Sequence, residues 1–362
     1  MKRALHFKTL VTCLMLPLFI SATSVIKDKH SKTKTINKEF SVNADASLKV
    51  KNSYGNLDIV TWNENRIVFE ITITASGKDE EKVMEKLNAV DVTFSATKDL
   101  VAAETKFNKK SSKSWWDWGG KSKVNIKVNY VIKMPISNHV NLKNNYGNIN
   151  LEKLEGKATI HCDYGKITTG ELMADDNALE FDYSKGCYFE YIKSGSINAD
   201  YSEFTVSKAQ KIDLNADYTN SKIEIAEDVN YNCDYGNIKI DKANNIVGNG
   251  DYLTTIIGDV YKSVTLKADY GNIKIGRMDE HATNATIDSD YTGIKIGYDP
   301  NYNFKFNLDL DYASFTDKDG LTVTKETKNS VSKLYQGYHG NQSSNNVITI
   351  KSDYGNVTFF KN

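Results

Sequence analysis

Three prolines in 362 residues leave almost nothing to interrupt a β-sheet, where proline removes a ladder donor. Arginine is scarcer than lysine, since Arg3, Arg66 and Arg277 are the only three, and the chain lacks the basic surface of a nucleic-acid binder. Neither sign of charge dominates, with 46 Lys and Arg against 46 Asp and Glu. Beyond Ile20 no apolar run reaches the length of a membrane-spanning helix. Four cysteines, Cys13, Cys162, Cys187 and Cys233, show no metal-ligand spacing. Leucines at helical spacing are few, which argues against a helical bundle. Catalytic signatures are missing as well. There is no Gly-x-Ser-x-Gly elbow and no phosphate loop, and His161, His281 and His339 fall in unrelated contexts. A polysaccharide-cleaving β-helix would use aspartates with an Arg or Lys, but Arg277 reads as a plain loop charge.

Tyrosine, by contrast, is abundant at 21 residues against 14 phenylalanines. Variants of Asn232-Cys-Asp-Tyr-Gly-Asn-Ile-Lys-Ile240 recur around Tyr54, Tyr146, Tyr164, Tyr183, Tyr201, Tyr218, Tyr235, Tyr252, Tyr270, Tyr291, Tyr312 and Tyr354. From Tyr146 to Tyr312 the interval is 17 to 21 residues, the period of a solenoid whose repeats bury their apolar faces on one another. Four residues before the tyrosine stands an apolar residue such as Leu142, Ile160, Leu214 or Leu266, and only Gly248 breaks that column. Three and five residues after it come pairs such as Ile238 with Ile240 and Ile273 with Ile275. This alternation marks strands with one buried face. Because its phase flips at the tyrosine, each repeat should be a strand, a corner, a second strand and a short loop. Gly follows the tyrosine in only half of the repeats, and Thr219, Thr292 and Leu253 also stand there. The expectation is therefore that the corner does not require a left-handed residue in every coil.

In chain order, a basic start and the apolar stretch Leu10 to Ile20 read as a signal peptide over residues 1–24, cleaved after Ala22 or Ser24. The protein is then expected to be exported, to the periplasm, cell surface or extracellular space, with no transmembrane segment in the mature chain. Cys13 lies inside the apolar run, which disfavours lipidation. Residues 25–38 read as a polar, flexible lead. The 92 residues between Tyr54 and Tyr146 hold a different module, residues 61–139. It has strands around Ile67 to Ile73 and Val124 to Met134, and one helix through Val83, Met84, Leu87 and Val90 with a capping box at Ser76 to Asp79. Between the strands, Trp115, Trp116 and Trp118 sit among Ser, Gly and Lys. They either fold back onto the module or form an exposed aromatic patch. Residues 317–345, with Tyr335 and Tyr338 near their centre, form a degenerate coil or a protruding hairpin, and the repeat of Asn346 to Phe360 is expected to close the solenoid.

Asp163, Asp182, Asp200, Asp217, Asp234, Asp251, Asp269, Asp290, Asp311 and Asp353 immediately precede the repeat tyrosines. Stacked about 4.8 Å apart, neighbouring carboxylates repel by roughly 0.8 kcal/mol in water. Backbone N–H groups at each Asp's own corner would offset this, as in an Asx-turn; bound calcium or a polysaccharide is the other option. Asp317-Lys-Asp-Gly320 starts like a calcium loop but lacks the later ligands, so a turn is expected and no metal. The tyrosines read as a stacked column rather than a ligand platform, and Cys162, Cys187 and Cys233 as core fillers.

The Tyr-Gly-Asn repeats at Tyr54, Tyr146, Tyr235, Tyr270 and Tyr354, the strand-helix-strand insert, Pro135 before the array, and Leu334-Tyr-Gln-Gly-Tyr-His-Gly340 before the last repeat resemble a family of bacterial adhesin domains. Its name is provisional and its function unknown; it is related to the head-GIN adhesins. The resemblance implies a right-handed β-solenoid, export to the envelope and no known catalytic residue. The expected fold is thus all-β, a solenoid of 17–21-residue coils over 140–362 behind an N-terminal part, 25–139, that carries the insert. The expected role is non-catalytic and cofactor-free, binding a cell-surface glycan or an envelope protein, with Trp115, Trp116, Trp118, Tyr335 and Tyr338 as candidate contacts. A polysaccharide-active enzyme and a periplasmic regulatory protein are the alternatives.

Overall fold

A computed structural model describes residues 29–108, 124–316, 318 and 320–362. The signal-peptide segment lies outside the described residues. Almost every described segment is a strand of one continuous 26-stranded sheet wound into stacked coils, an all-β solenoid with a single helix. Adjacent coils pair in parallel and in register, so the inward residues form columns. Leu214, Tyr231, Gly248 and Leu266 are one such column, and Ile223, Ile240 and Ile257 another. Ile238, Ile240, Ile273 and Ile275 are all buried, as the alternation requires. Each buried aliphatic side chain contributes about 1.5–3 kcal/mol. Loops between repeats are fewer than expected. Gly236–Asp251 and Leu253–Asp269 each run as one strand from corner to corner, bending without a break.

The column at Gly248 is broken on the surface of the sequence but not in space. Tyr231 points inward beneath it, and a Cβ on Gly248 would lie 2.0 Å from the Tyr231 ring. The missing side chain of one coil is the room taken by its neighbour's phenol, whose hydroxyl reaches Thr255 Oγ1 at 3.4 Å.

At the N-terminal end, strands β1 (His30–Ser41), β2 (Ser47–Ser53), β3 (Leu57–Trp62) and β4 (Arg66–Gly77) are followed by helix α1 (Glu80–Ala89) and strands β5 (Val90–Ala96), β6 (Leu100–Phe107) and β7 (Val124–Pro135). β2 and β3 are the Tyr54 coil and lie on the Tyr146 coil. On their other side β6 and β7 add one more parallel layer, covered in turn by antiparallel β5 and by the β4–β1 pair. The polar segment read as a flexible lead is in fact β1, paired with β4 along its whole length because Ile36 and Phe40 pack against the core. Asp79, not Ser76, caps α1, its carboxylate accepting from the Lys82 N–H, and Val83 and Leu87 face inward.

The C-terminal end differs from the expected order. Val347–Asp353 lies between Ala285–Asp290 and Phe304–Asp311, and Val357–Lys361 lies between Gly293–Tyr298 and Phe315–Thr316. The last repeat is therefore inserted beneath the one that precedes it in the chain. It does not close the solenoid. That task falls to a hairpin, Thr322–Lys328 with Ser332–His339, which folds antiparallel over Phe304–Asp311 rather than protruding. Its exposed outer strand carries Lys325 and Lys328, charges that discourage further pairing at an edge.

Candidate binding surface

All twelve repeat tyrosines have positive φ, between 50° and 64°. Every coil does need a left-handed residue, contrary to the sequence expectation, but it is the tyrosine itself and not the residue after it. Thr219, Thr292 and Leu253 fit the following position for that reason. A side chain in the left-handed region costs about 1–2 kcal/mol, and the corner recovers it through contacts between coils. Ten of the twelve tyrosine N–H groups donate to the carbonyl of the Asp in the next coil, as from Tyr218 to Asp234 and from Tyr235 to Asp251, both at 3.0 Å, while Tyr54 donates to the Asn145 carbonyl and Tyr312 to that of Val331.

The aspartate side chains also bond between coils and not, as expected, within their own corner. Asp182 Oδ1 accepts from the Asp200 N–H at 3.0 Å, Asp217 from Asp234 at 3.0 Å, and Asp234 from Asp251 at 2.8 Å. These charge-assisted bonds offset the repulsion along the column. They do not remove it. Burial first, and neighbouring carboxylates with it, hold Asp182, Asp251 and Asp290 above the usual carboxylate range. Hydroxyls after the tyrosine add a third ladder, with the Ser184 N–H donating to Ser202 Oγ and the Ser202 N–H to Thr219 Oγ1, each at 3.1 Å.

These bonds aim every tyrosine ring outward along one edge of the solenoid. The rings stack in the order 54, 146, 164, 183, 201, 218, 235, 252, 270, 291, 354, 312, with centroids 4.7–5.3 Å apart and planes within 9° of parallel. Phe107 closes the Tyr54 end edge-on. From Tyr146 to Tyr312 each tyrosine is about half exposed, 45–60%. Burial against neighbours, then adjacent phenols and aspartates, pushes the phenols of Tyr164, Tyr235, Tyr270 and Tyr354 up. Asparagines border the row. Asn198, Asn215, Asn232 and Asn249 form an amide ladder three residues before the tyrosines. Asn232 and Asn249, with Val247, Lys267 and Asp288, line an open groove of about 570 Å³ on the same face. The column was legible in the sequence; its exposure was not, because the left-handed tyrosine turns the ring away from the core.

Other candidates fall elsewhere. Trp115, Trp116 and Trp118 lie outside the described residues, as do Asp317 and Asp319. Tyr335 is 3% exposed, packed edge-on against Phe315 with Lys318 above its ring at 4.4 Å. Tyr338 is half-buried on the same strand. Cys162, Cys187 and Cys233 are free and buried, and burial pushes their thiols up to about 12, 11 and 12. Arg277 is not a plain loop charge. Its guanidinium lies 3.1 Å from Asp259, 3.4 Å from Asp299 and 3.9 Å from Asp279, pinning three coils together. Among the described residues no group of three His, Cys, Asp or Glu side chains is placed to hold a metal ion, and no helix is long and apolar enough to cross a membrane.

The fold thus defines an all-β solenoid with one repetitive aromatic edge. No family model and no curated protein matches the chain. Among solved structures it is similar to a provisionally named cell adhesion protein from Clostridium sporogenes, at 10% identity over 91% of this chain and 100% of the other, with TM-score 0.18. It is also similar to provisionally named adhesins from Parabacteroides merdae (11% identity, 90% and 96% covered, TM-score 0.34) and Parabacteroides distasonis (10%, 90% and 97%, TM-score 0.33).

Proposed function

We propose that this is an exported, non-catalytic envelope protein that uses a rigid, repetitive β surface to bind a glycan or another protein. One observation carries the proposal: the same left-handed Tyr corner is built twelve times, ten of them with Asp before the tyrosine, and puts twelve rings on one edge. A catalytic site concentrates unlike groups at one point, whereas this surface repeats like groups along a line. Such an array suits a partner that is itself extended. Trp115, Trp116 and Trp118 are a second candidate contact on the strength of their residue type, since indoles suit interfaces.

The test is retention of the labelled mature chain on isolated bacterial envelopes, on insoluble glycans and on envelope protein extracts. Saturable retention on one of them supports the proposal. Absence of saturable retention on all of them, or release of shortened sugar products, overturns it.

A further inference from the structure

Internal repetition lets the chain be compared with itself. In all twelve coils the left-handed position holds tyrosine, never glycine, asparagine or phenylalanine. Conformation alone would favour glycine, which bears no penalty at positive φ. Stacking alone would be served by phenylalanine, of which the chain has 14, none in this column. The element common to every coil and explained by neither is the hydroxyl. None of the twelve makes a hydrogen bond to another described residue, and eleven of the tyrosines are exposed.

The geometry restricts what those hydroxyls can meet. With centroids 4.7–5.3 Å apart and planes nearly parallel, each ring's faces are turned to its neighbours. A sugar or nucleobase has no room to insert between them. What remains outside is a straight row of ring edges and phenol oxygens at a regular pitch. Beside the row run the ten aspartates, one before each successive tyrosine from Tyr164 onward, and the amide ladder from Asn198 to Asn249. Carboxylates repel uronate and phosphate polymers and suit neutral or amine-bearing ones.

We infer that the tyrosine row is a hydrogen-bonding rail for a linear polysaccharide without acidic groups, lying parallel to the solenoid axis. This rests on the proposed binding function and names its ligand class. An extended hexose chain advances by roughly one ring length per sugar, close to the rise between coils, so its hydroxyls meet successive phenols without bending either partner. Because both partners are repetitive, affinity accumulates along the row, and shortening the rail weakens binding steeply.

The experiment replaces Tyr201, Tyr218, Tyr235, Tyr252 and Tyr270 together by Phe, which keeps ring, stack and backbone. Depletion isotherms are measured on β-glucan, chitin, chitosan and alginate. The expected result is wild-type retention on one or more of the first three and none on alginate. The Phe variant should unfold within a few degrees of wild type yet bind at least tenfold more weakly. Equal binding by the Phe variant, or a preference for alginate, overturns the inference. If the wild type binds an envelope protein but no polysaccharide, the rail fails while the broader function stands; if it binds nothing, both fail. Should the variant aggregate, tetranitromethane on the wild type reads the same contact. Glycan should protect the column tyrosines from nitration, and unaltered nitration at saturating glycan overturns the inference.

Discussion

Tyr291 stacks on Tyr354, at 4.7 Å, and not on Tyr312, which follows it in the chain. Tyr312 lies one coil further out, stacked on the far side of Tyr354 at 4.7 Å. The C-terminal strands are therefore an interior layer, paired on both sides. Removing residues 346–362 should strip the partner from Phe304–Asp311 and expose Ile287 and Ile294, whose covering layer includes the buried Ile348, Ile350, Val357 and Phe359. Hydrogen exchange on the truncated chain should show loss of protection throughout Phe304–Asp311 and the hairpin. Retained protection there would mean the layers stack in chain order.

Left-handed tyrosines make an unusual substitution series. At Tyr235, Phe should be nearly neutral because the stack persists. Gly should lose two stacks, each about 0.5–1.5 kcal/mol, but recover the cost of positive φ. Ala loses the stacks and keeps that cost, so it should be about 1 kcal/mol less stable than Gly. Urea unfolding ranks the three. An Ala variant as stable as the Gly variant would show that the corner stores no backbone strain.

Tyr231 and Gly248 form one packing unit and should behave as such. Gly248→Val alone drives a side chain into the Tyr231 ring, and Tyr231→Leu alone leaves a void. Both should destabilise, each by about 1–3 kcal/mol. The double variant restores the branched column seen at Leu214 and Leu266 and should be milder than the sum. A double-mutant cycle with coupling under about 0.5 kcal/mol would show that the two residues are independent.

The aspartate column gives acid an atypical effect. Asp182, Asp251 and Asp290 titrate above the unfolded value of 3.8, so within that window the folded state holds more protons than the unfolded chain. Their contribution is fully present below the unfolded value and is lost as pH rises through the folded one. Replacing all three by Asn removes the charge and, at Asp182 and Asp251, keeps the oxygen that accepts the next coil's N–H. The variant should melt higher than wild type at pH 7, with the gap narrowing toward pH 4. No gain at pH 7 would place the offset of the repulsion entirely in the backbone bonds.

The amino-acid sequence by itself determined the period, the inward faces, the corner at Asp-Tyr and the burial of Ile238, Ile273 and the three cysteines. These follow from local alternation, because a strand's side chains must point to opposite faces whatever it pairs with. The tertiary structure decided three things. It put the left-handed turn on the tyrosine, since only the stacked neighbour and the next coil's carbonyl stabilise that conformation. It moved the aspartate's partner from its own corner to the coil beyond, a donor that exists only once the coils are assembled. It also set the order of the last layers. The Tyr312 and Tyr354 repeats carry the same pattern, so local sequence cannot tell which lies outside. That choice belongs to the hairpin, which can cover Phe304–Asp311 only if the C-terminal strands already occupy the layer beneath.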